Sequence, residues 1–525
     1  MGAGPASAPQ DAAAAAQARP NVIVVLTDDE SVAELTERTM PETLEALSED
    51  GNGTEFTASI VSSPLCCPSR AGSISGQYPH NDGVFDNEPG YPGLADKGST
   101  IYSWLQAAGY RTGHLGRWLL NYDAPAPPGE DYDTDGGLAA PPGIDHWFGY
   151  VGSQTLYQGA TLSRNGTPVT LGGGLRGYTT RAINREALGF VRAAKSDPRP
   201  FFLTVAQIAP HAGGAVPPAG GYCGRGGLPV PERGKIGKWR TEPLPKPPNF
   251  DESKLGDKPD WVQTRPGLGA QRRHFLRLGW RCALATLGSV DRGVGQLVEQ
   301  LERQGELDNT AVFFTSDNGY LFGEHRVVLN KVYPYEESLR VPLLARVPER
   351  LLGRGVRREG RPAAVEYPVN NLDLTATILD LAGAPPCTAA GACRVLDGRS
   401  LMPLLSGKRP DWARQRTLLF QIGSQRQCGA LPGRGMRNFY DGIRTRRHVY
   451  VELDRVNPDT GQCDRPEYEL YDLKRDPYQL RNRAVNPALA TPSPLQASLA
   501  QRLAVMRQCS GIAGRDPASA RPFCE

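Results

Sequence analysis

Residues 21–29, Asn-Val-Ile-Val-Val-Leu-Thr-Asp-Asp, and residues 311–319, Ala-Val-Phe-Phe-Thr-Ser-Asp-Asn-Gly, share one pattern: an unbroken apolar run closed by acidic residues. A strand with one wet face alternates apolar and polar residues, whereas a strand covered on both faces has no need to. Both runs therefore predict strands buried on two sides. Phe201–Ile208, Phe-Phe-Leu-Thr-Val-Ala-Gln-Ile, is a third run of this kind. Helix signals lie between them. Pro41–Ser48 opens on a proline and stops before the turn Gly51-Asn52-Gly53. Another helix closes at Leu105–Gly109. Leu284, Leu287, Val290, Val294, Leu297 and Leu301 recur at three- and four-residue steps, which predicts a helix over 282–304. Leu372–Ala382 reads as a late helix. Strands alternating with helices predict an α/β fold with a mostly parallel central sheet sandwiched by helices.

Beyond residue 410 the pattern changes. Thr417–Ile422 and His448–Leu453 read as strands between polar turns, and Leu495–Arg507 as a closing helix. The expected organisation is a flexible leader over 1–19, a main domain over 20–410, and a smaller α+β domain with a short antiparallel sheet over 411–525. Pro210–Arg265 is rich in Gly, Pro and Lys without periodicity and reads as a long surface insertion.

The chain has 525 residues, 39% hydrophobic and 22% charged, with a net charge of +3. That is ordinary globular composition, and so small a charge argues against a nucleic-acid partner. No apolar run approaches the ~20 residues that span a bilayer, so no membrane span is expected. The first twenty residues lack the basic and apolar regions of an intact signal peptide. Ten cysteines contain no C-x-x-C pair. The last six fall into neighbours, Cys387 with Cys393, Cys428 with Cys463 and Cys509 with Cys524, which reads as a set of disulfides in an exported protein. The sequons at Asn52 and Asn165 could carry glycans in a eukaryotic secretory pathway.

The acids that close the two quoted runs are Asp28, Asp29 and Asp317, followed by Asn318. In open α/β sheets ligands gather at the carboxyl ends of strands. Three carboxylates brought together there repel one another unless a cation holds them. The donors are all oxygens, which selects a hard ion, Ca²⁺ or Mg²⁺, over Zn²⁺. Taken singly, each acid also fits a helix cap or a turn.

One further stretch decides between these readings. Cys66-Cys67-Pro68-Ser69-Arg70-Ala71-Gly72-Ser73-Ile74-Ser75-Gly76 resembles the signature of the type I sulfatases, in which C-x-P-S-R is followed five residues later by Ser/Thr-Gly. Other elements extend the resemblance over residues 20–485: Asn21–Asp29, Ala209-Pro210-His211, Ser316–Gly319, Lys331 with Tyr335–Pro342, and Tyr468–Leu473 with Asp476-Pro477. It implies an alkaline-phosphatase-like fold and an enzyme that hydrolyses sulfate monoesters. It implies that a formylglycine-generating enzyme oxidises Cys66 to formylglycine during maturation, and that Asp28, Asp29, Cys66, Asp317 and Asn318 hold Ca²⁺, with Mg²⁺ possible. In the implied chemistry one hydroxyl of the hydrated formylglycine attacks sulfur and the other expels sulfate. Asp317 is the base, Arg70 orients the diol, and Lys331 and His211 bind the sulfuryl oxygens and protonate the leaving alcohol.

The sequence departs from that family at Gly116-Arg117-Trp118-Leu119, where Gly-Lys-Trp is usual and a histidine follows. Arg117 keeps the catalytic charge in a different shape, and Leu119 can handle no proton. The family position of His114 is structural. Tyr78-Pro79-His80-Asn81-Asp82-Gly83-Val84 and the double cysteine are similar to sulfatases of N-acetylglucosamine 6-sulfate and heparan-type chains. His80, Asn81 and His325 are accordingly expected to contact the sugar of a sulfated saccharide. Two alternatives accompany this reading: a phosphonate or phosphate monoester hydrolase on the same fold, and a non-catalytic protein that binds sulfated glycans.

Overall fold

A computed structural model of the chain describes residues 19–48, 53–126, 134–213, 221–352, 363–423, 438–456 and 463–525. The strands of the main domain are β1 (Asn21–Asp28), β2 (Thr54–Phe56), β3 (Ser59–Ile60), β4 (Arg111–Gly116), β5 (His146–Tyr150), β6 (Thr161–Arg164), β7 (Thr167–Thr170), β8 (Phe201–Pro210), β9 (Thr310–Ser316), β10 (Leu343–Arg346), β11 (Ala364–Val365) and β12 (Val369–Asn370). Ten of them form one sheet in the order β11-β2-β10-β9-β1-β8-β4-β5-β6-β7, while β3 pairs with β12. The centre, β9-β1-β8-β4-β5, is parallel throughout, and antiparallel strands close both sides.

The continuous apolar runs are explained by what covers them. Val22 and Val24 face one core, with Ala71 and Ile74 of the helix Cys66–Ser75 and Ile378 of the helix Asn371–Ala382. Ile23 and Val25 face the opposite core, with Phe190 of the helix Thr179–Ala194 and Val290 of the helix Ala270–Gln304. Every residue of β1, β8 and β9 is buried. At about 1.5–3 kcal/mol for each fully buried large aliphatic or aromatic side chain, these central strands anchor the sheet whose ends carry the site.

Two departures from the sequence reading have physical causes. The long helix begins at Ala270, not near 282. Its first turns, Gln271 to His274, are exposed, so they lack the apolar stripe that marks the remainder. The described residues of the insertion, 221–265, are not all at the surface. Trp239, Leu244, Leu255 and Val262 are buried, and Trp239 and Leu244 pack with Leu276 and Trp280 of the long helix. A disulfide between Cys223 and Cys282, 59 residues apart, staples the segment to that helix.

The C-terminal sheet consists of β13 (Thr417–Ile422), β14 (Asn438–Thr445), β15 (His448–Val456) and β16 (Cys463–Asp472), antiparallel in sequence order. It is covered on both faces. Leu419, Ile443, Tyr450 and Leu470 meet Leu499 and Leu503 of the helix Pro494–Met506. Leu418, Phe420, Val449 and Val451 meet Ile60, Leu65 and Leu339 of the main domain. Leu65 is the residue before Cys66, so this sheet braces the start of the signature helix. The disulfides Cys387–Cys393 and Cys509–Cys524 join the expected neighbours. Cys428 of the expected Cys428–Cys463 pair, and Asn52 of the first sequon, lie outside the described residues.

Candidate active site

Four adjacent parallel strands, β9, β1, β8 and β4, each deliver a polar side chain at or just beyond the carboxyl end: Asp317, Asp28, His211 and Arg117. This is where an α/β sheet offers its crevice. The chain turns sharply at two of these ends. Asp29 adopts φ +71, a left-handed conformation uncommon for a side chain with a Cβ, and there its N–H donates to Asp317 Oδ1 at 3.1 Å. Gly116 has φ +99, and a Cβ there would lie 1.9 Å from the Ala206 carbonyl oxygen, so only glycine lets β4 lie against β8 and present Arg117.

Cys66 is the first residue of its helix and is buried. Its Sγ receives a hydrogen bond from Lys331 Nζ at 2.7 Å and lies 3.6 Å from Asp28 Oδ1. The neighbouring cysteine is a different case. Cys67 belongs to the apolar core, and its Sγ accepts from the Leu120 N–H at 3.0 Å. Burial pushes the Cys67 thiol up to about 12. Of the pair, only Cys66 faces the polar cluster.

Arg70, one helical turn on, binds two acids at once: Nε donates to Asp317 Oδ2 at 2.8 Å and Nη2 to Asp28 Oδ2 at 3.1 Å. Arg117 Nε donates to the same Asp28 oxygen at 2.9 Å, and its Nη1 to the Gln154 carbonyl at 3.0 Å. Lys331 Nζ also pairs with Asp29 Oδ1, an oxygen that accepts from Asn318 Nδ2 at 2.7 Å. His211 Nδ1 donates to the Ala212 carbonyl at 2.7 Å, which directs Nε2 toward Asp29 Oδ2, 3.7 Å away.

These contacts set the charges. Burial raises the pKa of Asp28, but Arg117, His211, Arg70 and Lys331 outweigh it and hold the carboxyl well below the usual range. Asp317 is pushed to about 6 by burial and the charge of Asp28, against Arg70 and Lys331. Burial drives the Cys66 thiol well up despite Lys331. Lys331 stays firmly charged because Asp29 and its neighbours overcome burial. Burial lowers His211, with Asp28 and Asp29 opposing.

Asp28, Asp29, Cys66 and His211 bring one donor atom each within 4.8 Å of one another, a group able to hold a metal ion. Asp317 and Asn318 lie beside this group, Asp317 Oδ1 accepting from the Asp29 N–H and Asn318 Nδ2 donating to Asp29 Oδ1. Asn318 Oδ1 is buried without a hydrogen-bond partner, and an amide oxygen left so is free to bind a cation. His211 was read from sequence only as a sulfate and proton residue, and the structure adds it to the metal-capable group.

Three expected sugar contacts sit elsewhere. His80 spends Nδ1 on Gln421 Oε1 at 2.6 Å and Nε2 on the Cys509 carbonyl at 2.9 Å. Asn81 Nδ2 donates to Asp397 Oδ2 and to the same carbonyl. Both fasten the C-terminal segment to the turn after the signature helix. His325 is fully buried, hydrogen-bonded to Glu252 at 2.7 Å and stacked on Tyr335 at 3.8 Å. His80 and His325 thus spend their ring nitrogens, and Asn81 its amide nitrogen, on the protein itself. His114, between Tyr102 and the Arg117 carbonyl, is pushed down to about 3 by burial and positions the Arg117 backbone. Leu119 is buried in the core. The sequence reading missed Glu34, which lines a 200 Å³ pocket with Asp29 and Tyr320. Its Oε2 accepts from the Ser31 N–H at 2.8 Å while Oε1 is buried and unpartnered. Ser31-x-x-Glu34 is a legible capping-box signal.

Known proteins resemble the chain over most of its length. The sulfatase family matches residues 20–384, and N-sulphoglucosamine sulphohydrolase, C-terminal, matches 323–509. The putative extracellular sulfatase Sulf-1 homolog of Caenorhabditis elegans is 32% identical over 74% of this chain, yet the chain spans only 49% of that relative, and 33% of the Drosophila melanogaster one. Human N-acetylglucosamine-6-sulfatase is 29% identical over 96% of this chain and 87% of its own length. A solved protein in complex with its substrate D-glucosamine-2-N,6-O-disulfate superposes with a TM-score of 0.68 at 24% identity, covering 93% of this chain and 97% of its own. The fold is thus alkaline-phosphatase-like, and the chain belongs to the sulfatase family.

Proposed function

We propose that this protein hydrolyses sulfate monoesters of sugars, N-acetylglucosamine 6-sulfate or heparan-type saccharides, at Cys66. The observation that carries the reading is the placement of Cys66, alone of the two cysteines, between Lys331 Nζ and Asp28 at the mouth of four parallel strands. Conversion of Cys66 to formylglycine by a formylglycine-generating enzyme would supply an oxygen nucleophile that can release sulfate again. A Ca²⁺ or Mg²⁺ ion held by Asp28, Asp29, Asp317, Asn318 and residue 66 would act as a Lewis acid.

The chain's own residues do the remaining work. Arg70 and Arg117 fix Asp28 through one shared oxygen. Arg70 also holds Asp317, whose pKa near 6 suits a group that takes a proton and returns it. Lys331 brings permanent positive charge to a sulfuryl oxygen. His211, fixed by the Ala212 carbonyl, presents Nε2 to the leaving alcohol. The three disulfides among the described residues and the extracellular sulfatases among the relatives support export. Among the described residues no helix is long and apolar enough to cross a membrane.

The test is a peptide mass spectrum over residue 66 in protein from its native producer, paired with sulfate release from N-acetylglucosamine 6-sulfate. An aldehyde or its hydrate with turnover is expected. An intact thiol there would overturn the reading and favour a protein that only binds sulfated glycans.

A further inference from the structure

Lys331 reaches Cys66 from a loop whose backbone is strained at the very point that carries it. Between β9 and β10, His325, Arg326, Leu329 and Val332 have φ of +48, +60, +45 and +73. Val332 is the extreme case. A branched Cβ crowds the backbone in that region, so valine stays there only where its surroundings hold it. Val332 directly follows Lys331, and the peptide joining them sets the direction in which the lysine leaves the chain. Three hydrogen bonds hold this stretch. The Leu321 N–H donates to the Asn330 carbonyl at 2.8 Å, and the Val332 N–H to the Pro64 carbonyl at 3.1 Å. The Val332 carbonyl accepts from Tyr440 Oη at 3.0 Å. Pro64 stands two residues before Cys66, so the loop and the signature helix are tied at one place. Tyr440 comes from β14, in the C-terminal sheet. It is 3% exposed, lies edge-on to Phe420 at 6.1 Å between ring centroids, and packs with Leu65, Leu339 and Val332. Burial and the charge of Glu469 raise its pKa well above the usual range, so the hydroxyl keeps its proton and donates.

Resting on the sulfatase reading, we infer that Tyr440 is a positioning residue: its hydroxyl holds Val332 in the left-handed conformation that brings Lys331 Nζ to Cys66. The lysine stem is long and freely jointed, so the place of Nζ depends on where its backbone points. Here Nζ must reach Cys66 Sγ, at 2.7 Å, and Asp29 together. Without the hydroxyl, Val332 gains by relaxing to negative φ. That relaxation turns the peptide between residues 331 and 332 and swings Nζ away from both partners. A displacement of about 1 Å at such a group can cost ~10²-fold in rate. The C-terminal sheet therefore does more than brace the signature helix. Through one phenol it sets the aim of the lysine, and the site is complete only with that sheet docked.

The test uses the full chain and Tyr440→Phe, which keeps the ring and removes the hydroxyl, on two backgrounds: wild type and Val332→Asn. Asparagine tolerates the left-handed region far better than valine does. Aryl sulfate hydrolysis is measured well below the melting temperature, together with hydrogen exchange over residues 328–335. On the wild-type background Tyr440→Phe should lower kcat/KM about tenfold and speed exchange in that segment. On the Val332→Asn background the same change should cost less than about twofold, because residue 332 then keeps its conformation without the clamp. A purely structural tyrosine would cost the same on both backgrounds, and that result overturns the proposal. So does Tyr440→Phe with wild-type kcat/KM, whatever its exchange. The exchange readout does not depend on turnover. A protein that releases no sulfate at all, yet exchanges faster over 328–335 in Tyr440→Phe and not on the Val332→Asn background, would refute the sulfatase reading and keep the clamp.

Discussion

Arg117 stands where the sequence departs from the pattern of the family it resembles, as Leu119 also does, and its replacement is the most informative perturbation. In Arg117→Met the stem and its packing are largely retained while two hydrogen bonds vanish: Nε to Asp28 Oδ2 at 2.9 Å and Nη1 to the Gln154 carbonyl at 3.0 Å. Both have a charged donor, and Asp28 is completely buried. Removing one partner of a buried ion pair costs about 3–5 kcal/mol. Asp28 keeps Arg70 on the same oxygen at 3.1 Å, so the loss should fall near the lower end, about 3 kcal/mol. Arg117→Lys keeps the charge, but a single ammonium cannot replace two guanidinium nitrogens aimed at different acceptors, so about 1–2 kcal/mol should go. Thermal unfolding gives the stability order: wild type, then Lys, then Met. Aryl sulfate hydrolysis should fall in the same order, mainly in kcat, because Asp28 is displaced more than the substrate pocket is changed. A Met variant with wild-type melting and rate would refute the argument that Arg117 holds Asp28.

Further outcomes are expected. Cys66→Ala should abolish sulfate release with the melting temperature preserved, whereas Cys67→Ala should retain turnover and lose about 1–2 kcal/mol, since Cys67 Sγ packs in the core and accepts one backbone hydrogen bond. Assays of both variants with circular dichroism check this. Chelation should stop sulfate release, and added Ca²⁺ should restore it; activity indifferent to chelator would remove the cation from the mechanism. Stability should decline as pH rises from about 4 to about 8. Burial raises Asp82, Glu34 and Glu324 to about 8 and Glu469 to about 7, so the folded chain keeps protons there that the unfolded chain releases near pH 4. His114, pushed down to about 3 by burial, opposes this up to about pH 6.5 as one group against four, and Glu186, held to about 2 by His146 and Arg164 against burial, opposes it only below that range. A melting temperature that climbs between about pH 5 and 8 would contradict it.

How much of this was legible in the sequence follows from how far each cause acts along the chain. Asp28 and Asp317 could be read because each follows an apolar run, and a buried parallel strand must end where its ligands gather. Cys66 and Arg70 could be read because one helical turn separates them, so a single short motif carries both. The protein partners of His80, Asn81 and His325 were not legible, because Gln421, Cys509 and Glu252 lie 73–429 residues away. The Cys223–Cys282 bridge gave no local signal for the same reason. The buried Trp239 was hidden in a segment without periodicity, because it packs as irregular 3₁₀ turns rather than as a helix or strand.

The charges of the site also limit what it can bind. Asp28, Asp29 and Asp317 stand against Arg70, Arg117 and Lys331, and each of those cations already holds an acid. Cys66 as a thiol adds nothing, because burial keeps its proton on. The chain's own ionised groups therefore cancel, and a sulfate monoester, itself an anion, would find no net attraction there. Excess positive charge has to come from outside the chain. Neutralising Asp29 with a bound cation would release Lys331 Nζ from its carboxylate and leave the ammonium free for a sulfuryl oxygen. The acids at the strand ends are thus the reason that the lysine can serve an anion at all. Asp29→Asn should weaken cation binding, which calorimetry with Ca²⁺ checks.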